Sequence, residues 1–294
     1  VTVEVVTTVE AVRAALAAAR RTGATIGFVP TMGYLHDGHA SLVRQAAAEC
    51  DVVVMSSFVN PLQFGAGEDL DAYPSDPSGD EATAAAAGAH LLFRPTVDEM
   101  YPRPMVTTVT VAGLTDVMEG AARPTHFDGV TTVVAKLFSI VGECRAYFGE
   151  KDFQQLAVVR RMAADLSMPV EVVGCPTRRE PDGLAMSSRN AYLTATERAA
   201  APVLNRALRR GAAAIAGGET DADAVRRQMS DLVGAEPLAA LDYVEVADPD
   251  TLQPLVRCDG RARLLGAVRI GRARLIDNIA ASGDRSLAGL ELDR

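Results

Sequence analysis

The sequence predicts an α/β protein built on a parallel sheet, followed by a smaller α+β domain. Three observations carry the expectation. Short apolar runs alternate with helical periodicities through residues 1–177, the chemistry-bearing motifs fall in loops just after those runs, and beyond Thr177 the order changes to helices followed by strands. Strands joined by crossover helices form parallel sheets covered on both faces. Ligands of such sheets bind beyond the carboxyl ends of the strands.

The elements follow in order. Thr7 and Glu10 match a capping box, Val9, Val12, Leu16 and Ala19 share a helical face, and Gly23 is placed to stop that helix. Thr25–Val29 reads as a strand ending at Pro30, and the loop Thr31–His39 leads into a helix from about Ala40 to Glu49. Asp51–Val59 is the next strand, closed by Asn60-Pro61. The alternation then repeats: helix Asp80–Ala87 and strand Leu91–Arg94, helix Val130–Val141 and strand Arg145–Phe148, helix Phe153–Leu166 and strand Val170–Gly174. In the second part, Thr194 and Glu197 cap a helix that reaches Ala216 with a kink at Pro202, and Asp221–Leu232 forms another. Strands are expected at Leu241–Val246, Ala262–Ile270 and Arg274–Asp277. The domains are therefore 1–177 and 178–294, and the tail from Ser282, which has no pattern, is expected to be mobile.

Composition narrows the function. A net charge of −9, no Trp and 5% aromatic residues argue against a nucleic-acid partner, which needs a positive field and stacking surfaces. Cys50, Cys144, Cys175 and Cys258 lie far apart without a C-x-x-C pair, which speaks for buried free thiols in a reducing cytoplasm and against a zinc site or a disulfide scaffold. The first residues, with Glu4 and Glu10, lack a basic start followed by an apolar run, so no leader is expected. The apolar stretch Val130–Val141 is broken by Lys136, and no membrane span is expected.

Three constellations carry chemistry. In Pro30–His39 a strand ends, a glycine-bearing loop follows, and His36-Asp37-Gly38-His39 opens a helix, which holds two of the four histidines in one tetrad. A helix N-terminus attracts anions, and two imidazoles there can donate to phosphates. In Phe148-Gly149-Glu150-Lys151-Asp152, Lys151 supplies a point charge suited to phosphate, and Asp152 could meet a ribose hydroxyl or, with Gln155, form a capping box. In Ala185–Asn190, Ser187, Ser188 and Arg189 present two hydroxyls and a guanidinium in succession, a phosphate clamp. Asp69, Asp71, Asp76 and Asp80 could supply a Mg²⁺ ligand or form a solvated acidic loop.

The pairing of a His-x-Gly-His loop with a later Ser-Ser-Arg loop resembles the HIGH and KMSKS elements of the nucleotidyltransferase superfamily. Pro30–His39, Phe58–Phe64, Arg123-Pro124-Thr125-His126-Phe127, Phe148–Asp152 and Asp182–Arg189, in that order, together resemble the pantoate–β-alanine ligase family, as does Leu275-Ile276-Asp277-Asn278 near the end. The resemblance implies a Rossmann-like domain that binds nucleotide and pantoate, and a smaller second domain that closes over the site. It implies ATP contacts from Met32, Gly33, Tyr34, Leu35, His36, Asp37, Gly38, His39, Gly149, Glu150, Lys151, Asp152, Arg178, Met186, Ser187, Ser188 and Arg189. His36, His39, Lys151, Ser187, Ser188 and Arg189 would be the catalytic charge stabilisers, and Asn60, Gln63 and Gln155 would hold pantoate and β-alanine. Gln63 could also be a turn residue after Asn60-Pro61. The implied activity is formation of pantothenate through pantoyl adenylate, with ATP and Mg²⁺, in a cytoplasmic homodimer. Tyr34, Asp37 and Arg178 depart from the family pattern, Arg178 where a small residue often offers only its backbone to adenine. A phosphate-ester adenylyltransferase and a silent nucleotide sensor are the alternative readings; the full set of His36, His39, Lys151 and Arg189 counts against the sensor.

Overall fold

Side chains alternate across a strand, so a strand apolar at every position needs a partner layer on each side. The central strands of the first sheet meet that demand over their buried stretches, residues 26–29 and 53–55. The computed structural model describes residues 2–65 and 67–282. These form two units: the chain up to Glu150 with Gln154–Cys175, and Lys151–Phe153 with the chain from Pro176.

The first unit holds strands β1 (Glu4–Val6), β2 (Ile26–Thr31), β3 (Val52–Ser57), β4 (Leu91–Phe93), β5 (Cys144–Gly149) and β6 (Val170–Cys175). They pair in the order β1-β4-β3-β2-β5-β6, and every pairing is parallel. The helices are α1 (Val9–Arg21), α2 (Asp37–Glu49), α3 (Pro77–Ala87), the short α4 (Val97–Met100) and α5 (Met118–Ala122), α6 (His126–Val141) and α7 (Phe153–Asp165). One face of the sheet, with Phe28, Val54, Phe93, Ala146 and Phe148, packs with residues of α1, α6 and α7. The other face, with Val29, Val53, Met55, Leu92 and Tyr147, packs with residues of α2 and α3. Neighbours in sequence thus serve opposite layers. From β2 the chain builds outward to β3 and β4, then returns to place β5 on the other side of β2. That reversal is the switch point at which a parallel sheet opens a crevice.

The second unit contains α8 (Ala195–Ala200), α9 (Val203–Ala216), α10 (Ala222–Gly234) and an antiparallel sheet of β7 (Ala239–Ala247), β8 (Arg263–Ile270) and β9 (Ala273–Ala280). Leu204, Leu208, Ile215, Val225, Met229, Leu264, Val268 and Ile279 share its core. The α/β parallel sheet with a smaller α+β part is as expected. Among the described residues, no helix is long and apolar enough to cross a membrane. The expectation for the tail falls almost wholly outside the described residues.

Several boundaries differ from the sequence expectation, most of them for a local reason. The first helix is capped by Thr8, whose hydroxyl accepts from Ala11 N, and not by Thr7. α2 starts at Asp37 because His36 is its N-cap. Asp76 caps α3, and Pro77 supplies its first residue, with no amide to satisfy. The expected kinked helix through Pro202 is two helices, α8 and α9, with the Thr194–Glu197 capping box intact. β1 was not expected; it is three residues long and exists by pairing with β4.

α6 begins four residues before the expected Val130, and its Gly129 meets the 3-10 turn Pro61–Gln63. A Cβ at Gly129 would lie 2.1 Å from the Leu62 carbonyl oxygen and 2.5 Å from Gln63 N. Gly129→Ala is expected to lower stability by about 3 kcal/mol, because backbone cannot yield as a side chain does. Urea denaturation checks this; an unchanged midpoint would mean the turn does not rest on the helix.

Candidate active site

The loop after β2 is shaped by one buried carboxylate. Asp80 accepts from Tyr34 N at 3.1 Å and Leu35 N at 2.7 Å, with Ser57 Oγ at 3.4 Å. The chain reaches it by turning through two left-handed residues, Gly33 at φ 85° and Tyr34 at φ 51°. A Cβ on Gly33 would come within 2.7 Å of Ser57 Oγ and 2.9 Å of Asp80 Oδ2, so glycine is required there on two counts. Thr31 Oγ1 receives Gly33 N and donates to Ser56 O.

The two histidines cap the helix that follows. His36 Nδ1 accepts from Gly38 N at 3.1 Å, and His39 Nδ1 accepts from His36 N at 3.3 Å, a reciprocal capping box made by imidazoles. A nitrogen that accepts an N–H carries no proton, so each neutral ring holds its proton on Nε2, on the side turned away from the backbone. The rings lie 4.0 Å apart, tilted by 38°. The helix end therefore carries two imidazole Nε2–H groups besides its own dipole. Asp37 is exposed and paired with Arg44 at 2.6 Å.

Gln63 sits in a second, denser cluster of the same unit. Its Nε2 donates to Met32 Sδ at 3.0 Å, and its Oε1 accepts from Asn60 Nδ2 at 3.1 Å. Asn60 is 1% exposed. Its Oδ1 accepts from Leu62 N and Tyr101 Oη, and its Nδ2 donates to Gly129 O and Gln63, which uses both lone pairs and both protons. Asn60 therefore orients Gln63 and has no group left for a ligand. The Gln63 carbonyl accepts from His126 Nδ1 at 2.8 Å and from Arg123 Nη2 at 3.3 Å. Arg123 also grips Glu68 through Nε and Nη2 and approaches His126 Nε2 at 3.1 Å. A carbonyl can only accept and a guanidinium only donate, so His126 carries its proton on Nδ1 and accepts from Arg123 at Nε2, the neutral Nδ1–H tautomer. Burial pushes its pKa down to about 4, and the Arg123 charge adds to this against the hydrogen bond to Gln63 and the carboxylates of Glu119 and Glu68.

The remaining candidates divide between the units. Gly149 ends β5, beside β2 in the sheet, and Glu150 opens a 3-10 turn. Gln155, half-exposed on α7, has no side-chain hydrogen bond among the described residues, whereas its neighbour Gln154 is buried and bound to Glu119 N, Leu114 O and Val117 O. In the second unit Lys151 and Ser187 line one small cleft, along with Asn190, Leu204, Asn205 and Asp277. Lys151 Nζ lies 3.4 Å from Asp152 Oδ1. Ser187 caps the 3-10 turn Ser188–Tyr192 by accepting from Arg189 N, and the Arg178 carbonyl accepts from Met186 N. Arg179 and Asp277 form a bidentate pair at 2.7 and 3.0 Å.

A family model for pantoate-beta-alanine ligase matches residues 4–280. The chain belongs to the pantoate–β-alanine ligase family. A pantothenate synthetase of Herpetosiphon aurantiacus is 55% identical over 277 residues, which cover 94% of this chain and 99% of that protein. One from Moorella thermoacetica is 53% identical over 94% of this chain and 98% of its own. The crystal structure of pantothenate synthetase from Thermus thermophilus is 51% identical, covers 95% of this chain and 99% of its own, and superposes with a TM-score of 0.90. The Francisella tularensis ligase, crystallised with beta-gamma ATP and β-alanine, is 31% identical with a TM-score of 0.78, covering 95% and 98%. The reaction of this ligase chain is the ATP-dependent joining of pantoate to β-alanine.

Four residues that build these two clusters, Asp80, Tyr101, Arg123 and His126, had structural tasks that the motif reading missed. Asp80 stood among candidates for Mg²⁺, yet its carboxylate serves the loop amides; Asp76 likewise serves as a helix cap. Tyr101 lies outside every recognised block and completes the Asn60 network. Arg123 and His126 belong to a recognised block with no assigned task, and both close on the Gln63 carbonyl. For Arg123 and His126 the sequence showed only that they lie three residues apart in one recognised block; the structure puts Arg123 at the end of α5 and His126 at the start of α6.

His126 generates a pH prediction. Its pKa is depressed in the folded chain, so the unfolded chain takes up a proton first as pH falls. Stability should be whole above pH about 6.5 and decline toward pH about 4, by on the order of 2–3 kcal/mol from this residue. In His126→Gln that part of the decline should vanish from denaturation midpoints recorded across the range. A variant whose pH profile parallels the parent's would place the sensitivity elsewhere.

Proposed function

We propose that the condensation runs through pantoyl adenylate, with the imidazoles at the start of α2 as the principal donors to the nucleotide phosphates. The observation that carries the reading is the His36–His39 capping box: it sets the Nε2–H tautomer of two imidazoles at a helix N-terminus, at the switch point of a parallel sheet. The sequence expectation treated these histidines as charge stabilisers; in this reading they act as neutral donors whose tautomers the backbone sets.

In the first step a pantoate carboxylate oxygen bonds to the α-phosphorus of ATP, the bond from that phosphorus to the β-bridging oxygen breaks, and pyrophosphate leaves. In the second, the β-alanine amine attacks the activated carbonyl, the bond from carbon to the AMP oxygen breaks, and the amine loses a proton. Both nucleophiles belong to the substrates, so the protein's part is positioning and electrostatic stabilisation. We assign the triphosphate to His36, His39, Lys151, Ser187, Ser188 and Arg189, and pantoate to Gln63 and Gln155. Met32–Leu35, Asp37, Gly38, Gly149, Glu150, Asp152, Arg178 and Met186 are assigned to further ATP contacts. Asn60 is assigned to orienting Gln63. Residues 1–177 then form the nucleotide- and pantoate-binding domain, and 178–294 the smaller domain that supplies the serine–arginine loop.

Among the described residues no cluster of three or more His, Cys, Asp or Glu could hold a metal. We assign Mg²⁺ to the complex of ATP, held by phosphates and water, as this ion prefers. A cytoplasmic location and a homodimer are proposed on the family resemblance alone.

Two measurements test the reading. Pantoate labelled with ¹⁸O in its carboxylate should yield labelled AMP alongside pantothenate, since one carboxylate oxygen leaves with the nucleotide. Unlabelled AMP would exclude the adenylate, and ADP with labelled inorganic phosphate would indicate an acyl phosphate instead. His39→Ala should slow adenylate formation by a factor on the order of 10²–10³, as for one lost oxyanion-type donor. Its cost in stability should be about 1 kcal/mol, typical of a lost helix cap. Near-normal pyrophosphate release in a single turnover would remove His39 from the reaction.

A further inference from the structure

Lys151 reaches its place by an unusual route. The chain before it and the chain after Phe153 belong to the first unit, yet Lys151–Phe153 packs as part of the second. Something in the second unit must hold these three residues. Asn278 on β9 donates from Nδ2 to the Lys151 carbonyl at 2.8 Å. The Arg263 guanidinium on β8 lies over the Phe153 ring, 4.2 Å from its centre, and donates through Nε and Nη2 to Asn278 Oδ1.

The chemistry of these groups fixes the direction of the bond. A guanidinium can only donate, so the amide atom facing Arg263 is the oxygen. The amide nitrogen is then obliged to face the Lys151 carbonyl, which can only accept. Asn278 is 2% exposed and Arg263 8%, so water offers little competition for either group. The backbone of Asn278 is held as well: its N–H donates to Asp277 Oδ1 at 2.8 Å, and its carbonyl accepts from Arg179 Nη2 at 3.3 Å. Arg179 in turn pairs with Asp277, and its backbone bridges to Ala185, two residues before Ser187. The Asp277-Asn278 pair thus ties down both Lys151 and the segment that leads into the serine–arginine loop.

We infer that Asn278 is a positioning residue for the reaction: through its hydrogen bond to the Lys151 carbonyl, oriented by Arg263, it sets the place from which the Lys151 ammonium meets the triphosphate. The inference rests on the assignment of Lys151 to the triphosphate. It also accounts for a motif, Leu275-Ile276-Asp277-Asn278, to which the reaction itself assigns no role.

The test compares the two half-reactions in the full chain. Pyrophosphate is present only in the first, so a displaced Lys151 should slow adenylate formation from ATP, Mg²⁺ and pantoate by a factor on the order of 10–10². Turnover of supplied pantoyl adenylate with β-alanine should change by less than about threefold, since that step involves no pyrophosphate. Asn278→Ala is the direct variant. Asn278→Asp keeps an acceptor for Arg263, and so keeps the fold, but sets a carboxylate against the Lys151 carbonyl; it should show the same selective loss. Equal losses in both half-reactions, or normal adenylate formation by Asn278→Asp, would overturn the proposal. Lys151→Ala separates the two layers. If it is impaired and Asn278→Asp is not, the triphosphate assignment stands and the positioning role falls. If Lys151→Ala itself forms adenylate normally, both fall.

Discussion

A parallel sheet buried on both faces has one outlet for function, the carboxyl ends of its strands, and the first unit is organised by that restriction. Phe28 and Val29, or Leu92 and Phe93, are neighbours in sequence that serve opposite layers. No position within such a strand can be given to a ligand without opening the core. The groups of this unit assigned to the nucleotide follow the strand ends where strand order reverses, those of β2 and β5. His36 and His39 follow the first of these ends, and Gly149 closes the second.

Loops at strand ends would be mobile if their amides had only water to bind. Here buried and half-buried polar groups take that role. Asp80 holds Tyr34 N and Leu35 N, Asn60 caps the turn that carries Gln63, and His126 with Arg123 holds the Gln63 carbonyl. Each of these groups leaves water and must regain its hydrogen bonds within the protein, which is why their capacity is so fully used. The arrangement confers rigidity: a side chain such as Gln63, fixed at both ends of its amide, cannot wander among rotamers. Preorganisation of this kind is what a site relying on positioning requires.

The second unit achieves the same with a buried ion pair. Asp277 accepts from Arg179, Asn205 and its own neighbour Asn278 N, so its charge is met from several directions. Isolated pairs of this kind add little net stability against an apolar alternative, but losing one partner is severe. Their contribution lies in direction. Arg179 cannot shift without releasing Asp277, and the cleft shared by Lys151 and Ser187 is bounded by that same aspartate.

The sequence by itself determined the layer pattern, because the period of its apolar residues decides between strand and helix before any tertiary contact exists. It also located the His-x-Gly-His, Lys151 and Ser-Ser-Arg loops, since glycine and cap residues mark turns through local backbone sterics. What it left open depends on distance along the chain. Asp80 is 46 residues from Tyr34, Tyr101 is 41 from Asn60, and Asn278 is 127 from Lys151. No periodicity links such pairs. The sheet order decides which loops meet, and only then does a carboxylate in a seemingly solvated acidic run become the anchor of the histidine loop. The same holds for Asn60: its residue type suits a ligand equally well, and the burial that commits all its hydrogen bonds to the protein is a property of the folded chain alone.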